Sequence, residues 1–309
     1  MSSVKIFSGS ATQELAKAIA HNYGSPLGKC EKQVFSDGEM GVYFTESVRG
    51  CDVFIIQSTI PPADNIWELL LLIDAARRAS AKYVTVVVPY YGYARQDRKD
   101  KPRVSIAAKM AANVLTSAGA DRIMACDLHA GQIQGFFDIP VDHLNGSAIF
   151  LPYLKKLKLD NLIFASPDVG GTKRARSYAK YFEVDMVICD KHRKRANEVA
   201  SMQVIGDVEG KDVVLVDDMV DTAGTISKAA TIIKEKGANS VRAIATHGVL
   251  SGNAYKNIEE SALEELIITD TLPQQHESEK IKVLTVADLF AKAIRKVHDH
   301  ESISSLFIN

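Results

Sequence analysis

Short apolar runs rich in Val and Ile alternate along the chain with longer stretches of helical periodicity. The short runs predict strands at residues 4–7, 53–57, 84–88, 122–125, 162–165, 184–188, 213–216, 241–246, 266–269 and 282–285. Helical spacing predicts helices at 12–21, 65–80, 105–118, 173–180, 225–236 and 286–297, and residues 151–158 begin the second half of the chain. Most strands are almost continuously apolar, which is typical of a sheet covered by helices on both faces. The pattern predicts an α/β fold with mainly parallel sheets flanked by helices.

The same unit of strand, polar loop and helix fills both halves of the chain. The Asn-Gly-Ser sequence at 145–147 marks the predicted boundary between an N-terminal domain, 1–146, and a C-terminal domain, 147–285. Residues 34–46 differ, because Asp-Gly and Met-Gly pairs lie among alternating residues there. That spacing predicts a hairpin projecting from the first domain.

Composition narrows the class of protein. The 309 residues include 37 Lys and Arg against 38 Asp and Glu, a formal net charge of −1, which argues against a general nucleic-acid binder. No apolar run approaches the ~20 residues of a membrane helix, and the first residues lack the apolar core of a signal peptide. The four cysteines show no CxxC spacing, as expected of reduced thiols. We expect a cytoplasmic protein with no nucleic-acid or membrane partner.

The strongest local signal lies at 213–230, where a predicted strand ends in Asp217 and Asp218. A loop of small and polar residues, 221–225, then opens a helix, and its backbone N–H groups are placed to hold a phosphate. Carboxylates beside a phosphate would repel it unless they accept hydrogen bonds from sugar hydroxyls or touch a metal on the same ligand. The combination suggests a sugar phosphate; the alternative is a pair of solvated acids before a capped helix.

A second strand-loop-helix junction lies at 163–175. Gly170 and Gly171 allow a ligand to approach the backbone closely, and the following helix start favours an anion. Asp168 would hold a cation that bridges phosphates, or would simply cap a tight turn. Both junctions are expected at the C-terminal edge of one sheet, where open α/β folds bind ligands.

The first half contains a basic loop at 90–104 and a short acidic segment near residue 127. Arginines in the basic loop offer bidentate contacts to a polyphosphate, although a solvated basic loop would have the same composition. Asp127 and His129 follow a predicted strand and suit Mg²⁺ or its waters, or a purely structural role.

The segment 190–198 contains only basic residues from 191 to 195. It is too polar to pack, and we interpret it as a mobile cationic lid that closes on a transferring phosphoryl group. A solvated loop and a nucleic-acid signal are the alternatives.

Together these segments resemble one family, the class I ribose-phosphate diphosphokinases, also called phosphoribosyl pyrophosphate synthetases. DLHAGQIQGFFDIPVD at 127–142 is similar to the family signature, and VDDMVDTAGT, SPDVGG, YGYARQDRK and FSDGE match in order and spacing. The resemblance implies two tandem phosphoribosyltransferase-like domains, with the C-terminal helix, about 286–309, packing on the first. It also implies Mg²⁺-dependent transfer of the β,γ-diphosphoryl group of ATP to the C1 hydroxyl of ribose 5-phosphate.

The resemblance implies roles for individual residues. The catalytic residues would be Lys191 and Arg193, and the metal ligands His129 and Asp168, with Asp127 a weaker candidate. ATP would be bound by Phe35, Asp37, Gly38, Glu39, Arg95, Gln96, Asp97, Arg98, Lys99 and His129. Ribose 5-phosphate would be bound by Asp168, Gly170, Gly171, Asp217, Asp218, Asp221, Thr222, Ala223, Gly224 and Thr225.

The family also implies an assembly and its regulation. Its members form homo-oligomers, typically hexamers, in which a neighbouring subunit supplies the adenine-binding hairpin. Phosphate and ADP act at a regulatory site whose matching positions here are Ser47, Arg49, Arg103, Ser302, Ser304 and Phe307.

Two other functions remain open on the sequence. A phosphoribosyltransferase would use the second half but leave the 127–142 signature and both basic segments unexplained. A non-catalytic regulatory subunit would be expected to carry insertions and an altered catalytic loop, whereas Lys191 and Arg193 are both present.

Overall fold

The structure, a computed structural model, describes residues 3–195 and 198–307, with their side chains except those of residues 191–201. The chain divides into two compact units. The first contains the residues up to Gly146, Thr271–Pro273 and the segment from Thr285 onward, and the second contains Ser147–Asp270 and Gln274–Leu284.

The secondary structure alternates along the whole chain. The strands are β1 (Val4–Ser8), β2 (Cys30–Val34), β3 (Met40–Phe44), β4 (Asp52–Ile56), β5 (Tyr83–Val88), β6 (Arg122–Cys126), β7 (Val141–Leu144), β8 (Leu162–Ser166), β9 (Met186–Arg195), β10 (Glu198–Ile205), β11 (Asp212–Val220), β12 (Ser240–Gly248), β13 (Glu265–Thr269) and β14 (Ile281–Leu284). The α-helices are α1 (Gln13–Tyr23), α2 (Asp64–Arg78), α3 (Ala107–Ala118), α4 (Ser147–Leu157), α5 (Thr172–Phe182), α6 (Gly224–Glu235), α7 (Ala254–Glu259) and α8 (Ala287–His298).

The first unit is built on a five-stranded sheet in the order β1-β4-β5-β6-β7. All of its pairings are parallel. α2 shows how the sequence covers this sheet, because Leu69, Leu72, Ile73 and Ala76 form one buried stripe at helical spacing. Five of the six β5 residues are buried, as expected for a strand with helices on both faces.

The second unit contains a seven-stranded sheet in the order β10-β9-β8-β11-β12-β13-β14. Only the β9–β10 pair is antiparallel. The prediction of mainly parallel sheets flanked by helices is therefore confirmed. β11 pairs with β8 only as far as Leu215, but with β12 as far as Val220. The C-terminal half of β11 thus has an open edge on its β8 side.

The predicted hairpin is present, but it begins at Cys30, four residues before the segment 34–46 that the sequence predicts. β2 and β3 pair antiparallel from Cys30 opposite Phe44 to Val34 opposite Met40, and they form a sheet of their own. Residues of β2 beyond Cys30 are exposed, so the ribbon projects from the unit.

Four strands and helices were not predicted: β7, β10, α4 and α7. β7 has only four residues, two of them polar, and α7 has only six, so each is too short for its pattern to stand out in the sequence. β10 lies at the edge of its sheet, and edge strands tolerate polar residues.

The prediction of a loop at 190–198 is wrong for most of that segment. β9 runs on to Arg195 and pairs with β10, from Ile188 opposite Ile205 to Arg195 opposite Glu198. β10 supplies backbone hydrogen-bond partners for the polar part of β9. The sequence prediction considered only whether the side chains could be buried, so it missed this pairing. Residues 196 and 197 lie outside the described residues.

α8 belongs to the first unit, where it packs on α1. Its inner face buries Leu289, Phe290 and Ile294. The Arg295 guanidinium lies 4.7 Å from the centre of the Tyr23 ring, and His298 Nδ1 lies 3.0 Å from Asp52 Oδ2. In the described part of the chain, no helix has both the length and the apolar character needed to cross a membrane.

Candidate active site

The loop between β11 and α6 is fixed by hydrogen bonds from residues that follow β12. The Ser251 hydroxyl donates to the Asp221 carboxylate, Ser251 N–H donates to the Asp221 carbonyl at 3.0 Å, and Asn257 Nδ2 donates to the Thr222 carbonyl at 2.8 Å. Ala223 adopts φ +60°, which turns the chain into the helix. The loop is therefore fixed before any ligand binds.

The start of α6 is open on its outer side. The first N–H groups of an α-helix have no partner within the helix, and the helix dipole adds positive potential there. A Cβ at Gly224 would come within 4 Å only of Thr222 Oγ1, at 3.9 Å. The arrangement of 221–225 suits an anion such as a phosphate.

Asp217 and Asp218 lie inside β11, which continues to Val220 and so corrects the expectation that the strand ends at this pair. Asp218 N–H donates to Asp217 Oδ1 at 2.8 Å. Arg174, on α5, donates from Nη1 to Asp218 Oδ1 at 3.1 Å, and the Asp218 side chain is only 7% exposed. Arg174 therefore places a positive charge beside this acidic pair at the open edge of β11.

The pKa of Asp217 lies well above its ordinary value. Burial is the main cause, the neighbouring charge of Asp218 adds to it, and Arg174 opposes it. A carboxyl group that resists ionisation can donate as well as accept a hydrogen bond. The pair thus suits ligand hydroxyl groups, which need both.

The loop after β8 is shaped by Asp168 and its glycines. Gly171 N–H donates to Asp168 Oδ1 at 3.0 Å, so this carboxylate does cap the turn. A Cβ at Gly171 would lie 2.8 Å from Ser166 Oγ, and a Cβ at Gly170 would lie 3.2 Å from Asp168 Oδ1. A side chain at Gly171 would therefore require the Ser166 hydroxyl to move.

The charge of Asp168 reaches two other groups of the second unit. It contributes to the raised pKa of Asp217, and it adds to burial in raising the pKa of Cys189 to about 11. The loops after β8 and β11 thus lie within electrostatic reach of each other, as expected for neighbouring strands.

The basic loop of the first unit is anchored by its tyrosines. Tyr91 is buried and its hydroxyl donates to the Ala108 carbonyl at 2.8 Å. Gly92 is required, because a Cβ there would lie 1.9 Å from the Thr59 carbonyl oxygen. The predicted ligand side chains follow on the surface: Arg95, Gln96, Arg98 and Lys99 are exposed and Asp97 is half-buried.

Asp127 has a structural contact, whereas His129 is exposed. The Asp127 carboxylate accepts from Gly146 N–H at 3.0 Å, and Asp127 N–H donates to the Leu144 carbonyl at 2.9 Å. These two hydrogen bonds connect the end of β6 to the end of β7 and to the turn that follows it. Asp127 itself has an unusual backbone conformation, with φ +37°.

The donor set fits a cation that arrives with its phosphates. Over residues 3–195 and 198–307 no group of three or more His, Cys, Asp or Glu could hold a metal ion. Mg²⁺ is commonly bound through one or two carboxylates together with substrate phosphates and water, rather than in an all-protein cage. Asp168 offers such a carboxylate in the second unit, and His129 offers an imidazole nitrogen, a less usual ligand of Mg²⁺, in the first.

The tip of the β2–β3 hairpin is ordered by its own backbone. Phe35 N–H donates to the Glu39 carbonyl at 2.8 Å, Gly38 N–H donates to the Phe35 carbonyl at 3.0 Å, and Glu39 N–H donates to Asp37 Oδ1 at 3.0 Å. Gly38 has φ +95°, which favours glycine. Phe35 is 48% exposed, so the hairpin tip offers an aromatic surface to a ligand.

Lys191 and Arg193 lie on β9, opposite Met202 and Val199. Their side chains lie outside the described residues.

The predicted regulatory positions are all in the first unit, but only some line one cavity. Ser47 and Arg49 line a cleft of about 470 Å³ together with Tyr43 and Arg78, and Arg49 Nη1 donates to Ser80 Oγ at 3.2 Å. The remaining positions do not line this cleft: Arg103, Ser302, Ser304 and Phe307. Ser302 and Ser304 hydrogen-bond to each other at 2.9 Å.

Arg174 was missed in the sequence, although it pairs with Asp218. A signal was present: a Lys-Arg pair directly after Gly-Gly-Thr puts cations at a helix start, where the dipole disfavours them. Such a placement calls for a nearby carboxylate.

Family models match both halves of the chain. Residues 4–119 match the N-terminal domain of ribose phosphate pyrophosphokinase, and residues 187–308 match the phosphoribosyl synthetase-associated domain. Both models describe parts of phosphoribosyl synthetases, a class of two-domain α/β proteins.

Full-length relatives carry the same description. The chain is 58% identical over 303 residues to a ribose-phosphate pyrophosphokinase of Porphyromonas gingivalis, covering 98% of this chain and 97% of that one. It is 55% identical over 309 residues to that of Wolinella succinogenes, covering 100% of both. The crystal structure of phosphoribosylpyrophosphate synthetase from Mycobacterium smegmatis matches with a TM-score of 0.91 at 40% identity, over 96% of this chain and 99% of that one. The chain belongs to the ribose-phosphate pyrophosphokinase family.

This result confirms the resemblance seen in the sequence, including its implication of an enzyme. A phosphoribosyltransferase and a non-catalytic subunit are not favoured, because these full-length relatives are named as the pyrophosphokinase.

Proposed function

We propose that the chain transfers the β,γ-diphosphoryl group of ATP to the C1 hydroxyl of ribose 5-phosphate, giving 5-phospho-α-D-ribose 1-diphosphate and AMP for cytoplasmic nucleotide biosynthesis. Family membership supports the reaction. The structural observation that carries it is the acidic pair Asp217–Asp218 on the strand directly before the open start of α6.

Ribose 5-phosphate binds at the second unit. Its phosphate accepts hydrogen bonds from the N–H groups at 221–225, and its ribose hydroxyls bond to Asp217 and Asp218. The residues in this role are Asp168, Gly170, Gly171, Asp217, Asp218, Asp221, Thr222, Ala223, Gly224 and Thr225.

ATP binds through the first unit. Its polyphosphate meets the exposed basic loop, where arginine offers paired N–H donors. Adenine meets the tip of the β2–β3 hairpin, supplied by a neighbouring subunit of a homohexamer. The residues in this role are Phe35, Asp37, Gly38, Glu39, Arg95, Gln96, Asp97, Arg98, Lys99 and His129.

His129 and Asp168 would hold Mg²⁺, which when bound neutralises phosphate charge and polarises the phosphoryl oxygens. Asp127 is the weaker candidate, since its carboxylate already accepts from Gly146 N–H.

The transfer forms a bond between the C1 oxygen and the β-phosphorus. The bond from the β-phosphorus to the oxygen shared with the α-phosphorus breaks, AMP leaves with that oxygen, and the hydroxyl proton is released. Lys191 and Arg193 act as the catalytic residues by neutralising the charge that develops during transfer, since phosphoryl transfer depends mainly on positioning and electrostatics.

Regulation is proposed at the first unit. Phosphate and ADP would act at the cleft lined by Ser47 and Arg49, with Arg103, Ser302, Ser304 and Phe307 completing the site in the assembly. A titration of steady-state rates with phosphate and then ADP tests this part separately.

The reaction is tested with the purified full-length chain, ATP, ribose 5-phosphate and Mg²⁺ in the absence of any nucleobase. Chromatography should show AMP and the diphosphate product in equal amounts. A chain that forms no AMP under these conditions contradicts the proposed function, and AMP formed without ribose 5-phosphate indicates simple hydrolysis instead.

A further inference from the structure

A buried carboxylate lies in the first unit, away from the side chains assigned above. Glu68, in the second turn of α2, has a side chain only 4% exposed. It accepts from Ser10 N–H at 2.9 Å, from the Ser10 hydroxyl, from Gln57 Nε2 at 3.4 Å and from Lys32 Nζ at 3.2 Å. Among the described side chains, Lys32 is the charged donor in this set, so it supplies the counterion that a buried carboxylate needs.

The frame around Glu68 is rigid on the side of the unit's core. Gln57 is fully buried, its Oε1 accepts from Ala11 N–H at 3.1 Å, and its Nε2 donates to the Asn65 carbonyl at 3.2 Å. A Cβ at Gly9 would lie 2.4 Å from Gln57 Cδ, so the loop after β1 fits closely over this amide. Glu68 therefore holds a fixed position.

Lys32 belongs to the projecting hairpin. At the root of the ribbon, the Phe44 and Phe7 rings lie 4.5 Å apart and the Cys30 thiol donates to the Ser8 carbonyl at 3.3 Å. Lys32 lies two residues further along β2, with its side chain 31% exposed, and the β2 residues after it are exposed. The Lys32–Glu68 pair thus lies between the packed root and the exposed tip.

We propose that Glu68 and Lys32 are positioning residues that fix the direction of the hairpin, and thereby set the affinity and base selectivity for the nucleotide. This rests on the proposed function, in which the tip at 35–39 meets adenine. A two-stranded ribbon is only marginally stable alone, so its tip keeps one orientation only while its strands are tied down. A pre-oriented tip lowers the ordering cost of binding.

Lys32→Met tests the proposal, because methionine keeps most of the side-chain length and removes the charge. The KM for ATP is expected to rise about tenfold, with kcat and the KM for ribose 5-phosphate within about twofold of the parent values. The preference for ATP over GTP in kcat/KM should fall. Lys32→Arg keeps the charge and should restore most of the affinity.

Two further variants make the result specific. Lys17→Met removes a lysine from an exposed pair with Glu14 on α1, at 59% and 86% side-chain exposure, and should leave all constants unchanged. The double variant Lys32→Met with Glu68→Gln should have the same KM for ATP as whichever single variant has the higher KM. The two effects should not multiply, because both changes remove the same interaction. An unchanged KM for ATP in Lys32→Met, or a loss confined to kcat, overturns the proposal.

Hydrogen exchange of the hairpin amides separates this inference from the proposed function. Amides of residues 33–41 should exchange faster in Lys32→Met than in Lys17→Met, whatever the enzyme catalyses. Unchanged exchange overturns the anchor even in an active enzyme. Faster exchange in a protein that forms no AMP leaves the anchor standing and contradicts the proposed function.

Discussion

Each unit has a loop at the C-terminal end of a parallel strand, but one loop is filled by the protein's own side chain and the other is open. After β1, Ser10 directs its N–H and hydroxyl into the chain's own carboxylate, Glu68. After β11, the start of α6 faces open space, and the acids nearby lie on the strand behind it. The difference teaches that a turn at the C-terminal end of a parallel strand becomes a binding site only when no side chain of the protein already fills it.

The largest effect should come from Lys191, which lies on β9 and belongs to neither of these two loops. Lys191→Ala is expected to lower kcat about 10²- to 10³-fold with KM values changed by about threefold or less, because a cation acting on developing charge contributes mainly in the transition state. Steady-state kinetics checks this, with Lys17→Met as the control. Near-normal turnover would show that the binding edges alone account for the rate.

Converting the open edge into a filled one should abolish most sugar-phosphate binding. Gly224→Asp puts a carboxylate at the start of α6, as Glu68 does after β1, and the KM for ribose 5-phosphate should rise about 100-fold through charge repulsion. Gly224→Ala adds bulk without charge, into open space, and should change this KM by about threefold or less. Equal effects of the two variants would sink the charge argument.

The raised pKa of Asp217 predicts a pH dependence of stability. The folded chain holds this proton at pH values where the unfolded chain has released it, so the free energy of unfolding falls as pH rises above the ordinary aspartate value. The contribution is at most about 1.4 kcal/mol per pH unit. Urea denaturation of the parent chain and of Asp217→Asn, from about pH 4 to 6, measures it. Asp217→Asn should lose less stability over this range, and parallel curves would contradict the assignment.

The smallest effect is expected at Asp127, and it tests whether this carboxylate of the first unit binds Mg²⁺. Asp127→Asn keeps an oxygen that can accept from Gly146 N–H, so kcat and the Mg²⁺ concentration for half-maximal rate should change by about threefold or less. Asp127→Ala removes the acceptor and should lower the thermal midpoint more than Asp127→Asn. A large rise in Mg²⁺ requirement for Asp127→Asn would instead make this carboxylate a metal ligand.

Features carried by local pattern were predictable. Parallel sheets, the hairpin and the loop before α6 each follow from periodicity, turn residues and small residues within about ten positions of sequence. Pairings across the fold were not, because no local pattern encodes them: Arg174 meets Asp218 from another helix, and Glu68 meets Lys32 from another strand. β9 was cut short for the same reason, since its polar half depends on β10.

The signature at 127–142 contains residues that pack within the fold as well as residues predicted to bind ligands. Its last residue, Asp142, is buried and pairs with Arg122 at 2.8 Å, which is a contact within the sheet rather than with a ligand. A family motif therefore marks packing positions as well as chemistry, and only the structure separates them.

The return of α8 to the first unit sets an order for synthesis on the ribosome. Chains emerge from their N-terminus, so the second unit leaves the exit tunnel before α8 does. Until then α1 lacks the helix that covers it, and Leu289, Phe290 and Ile294 are not yet available to complete that core. The first unit to be translated is thus the last to be finished, and the surface of α1 that packs on α8 stays uncovered in a nascent chain stalled near residue 285.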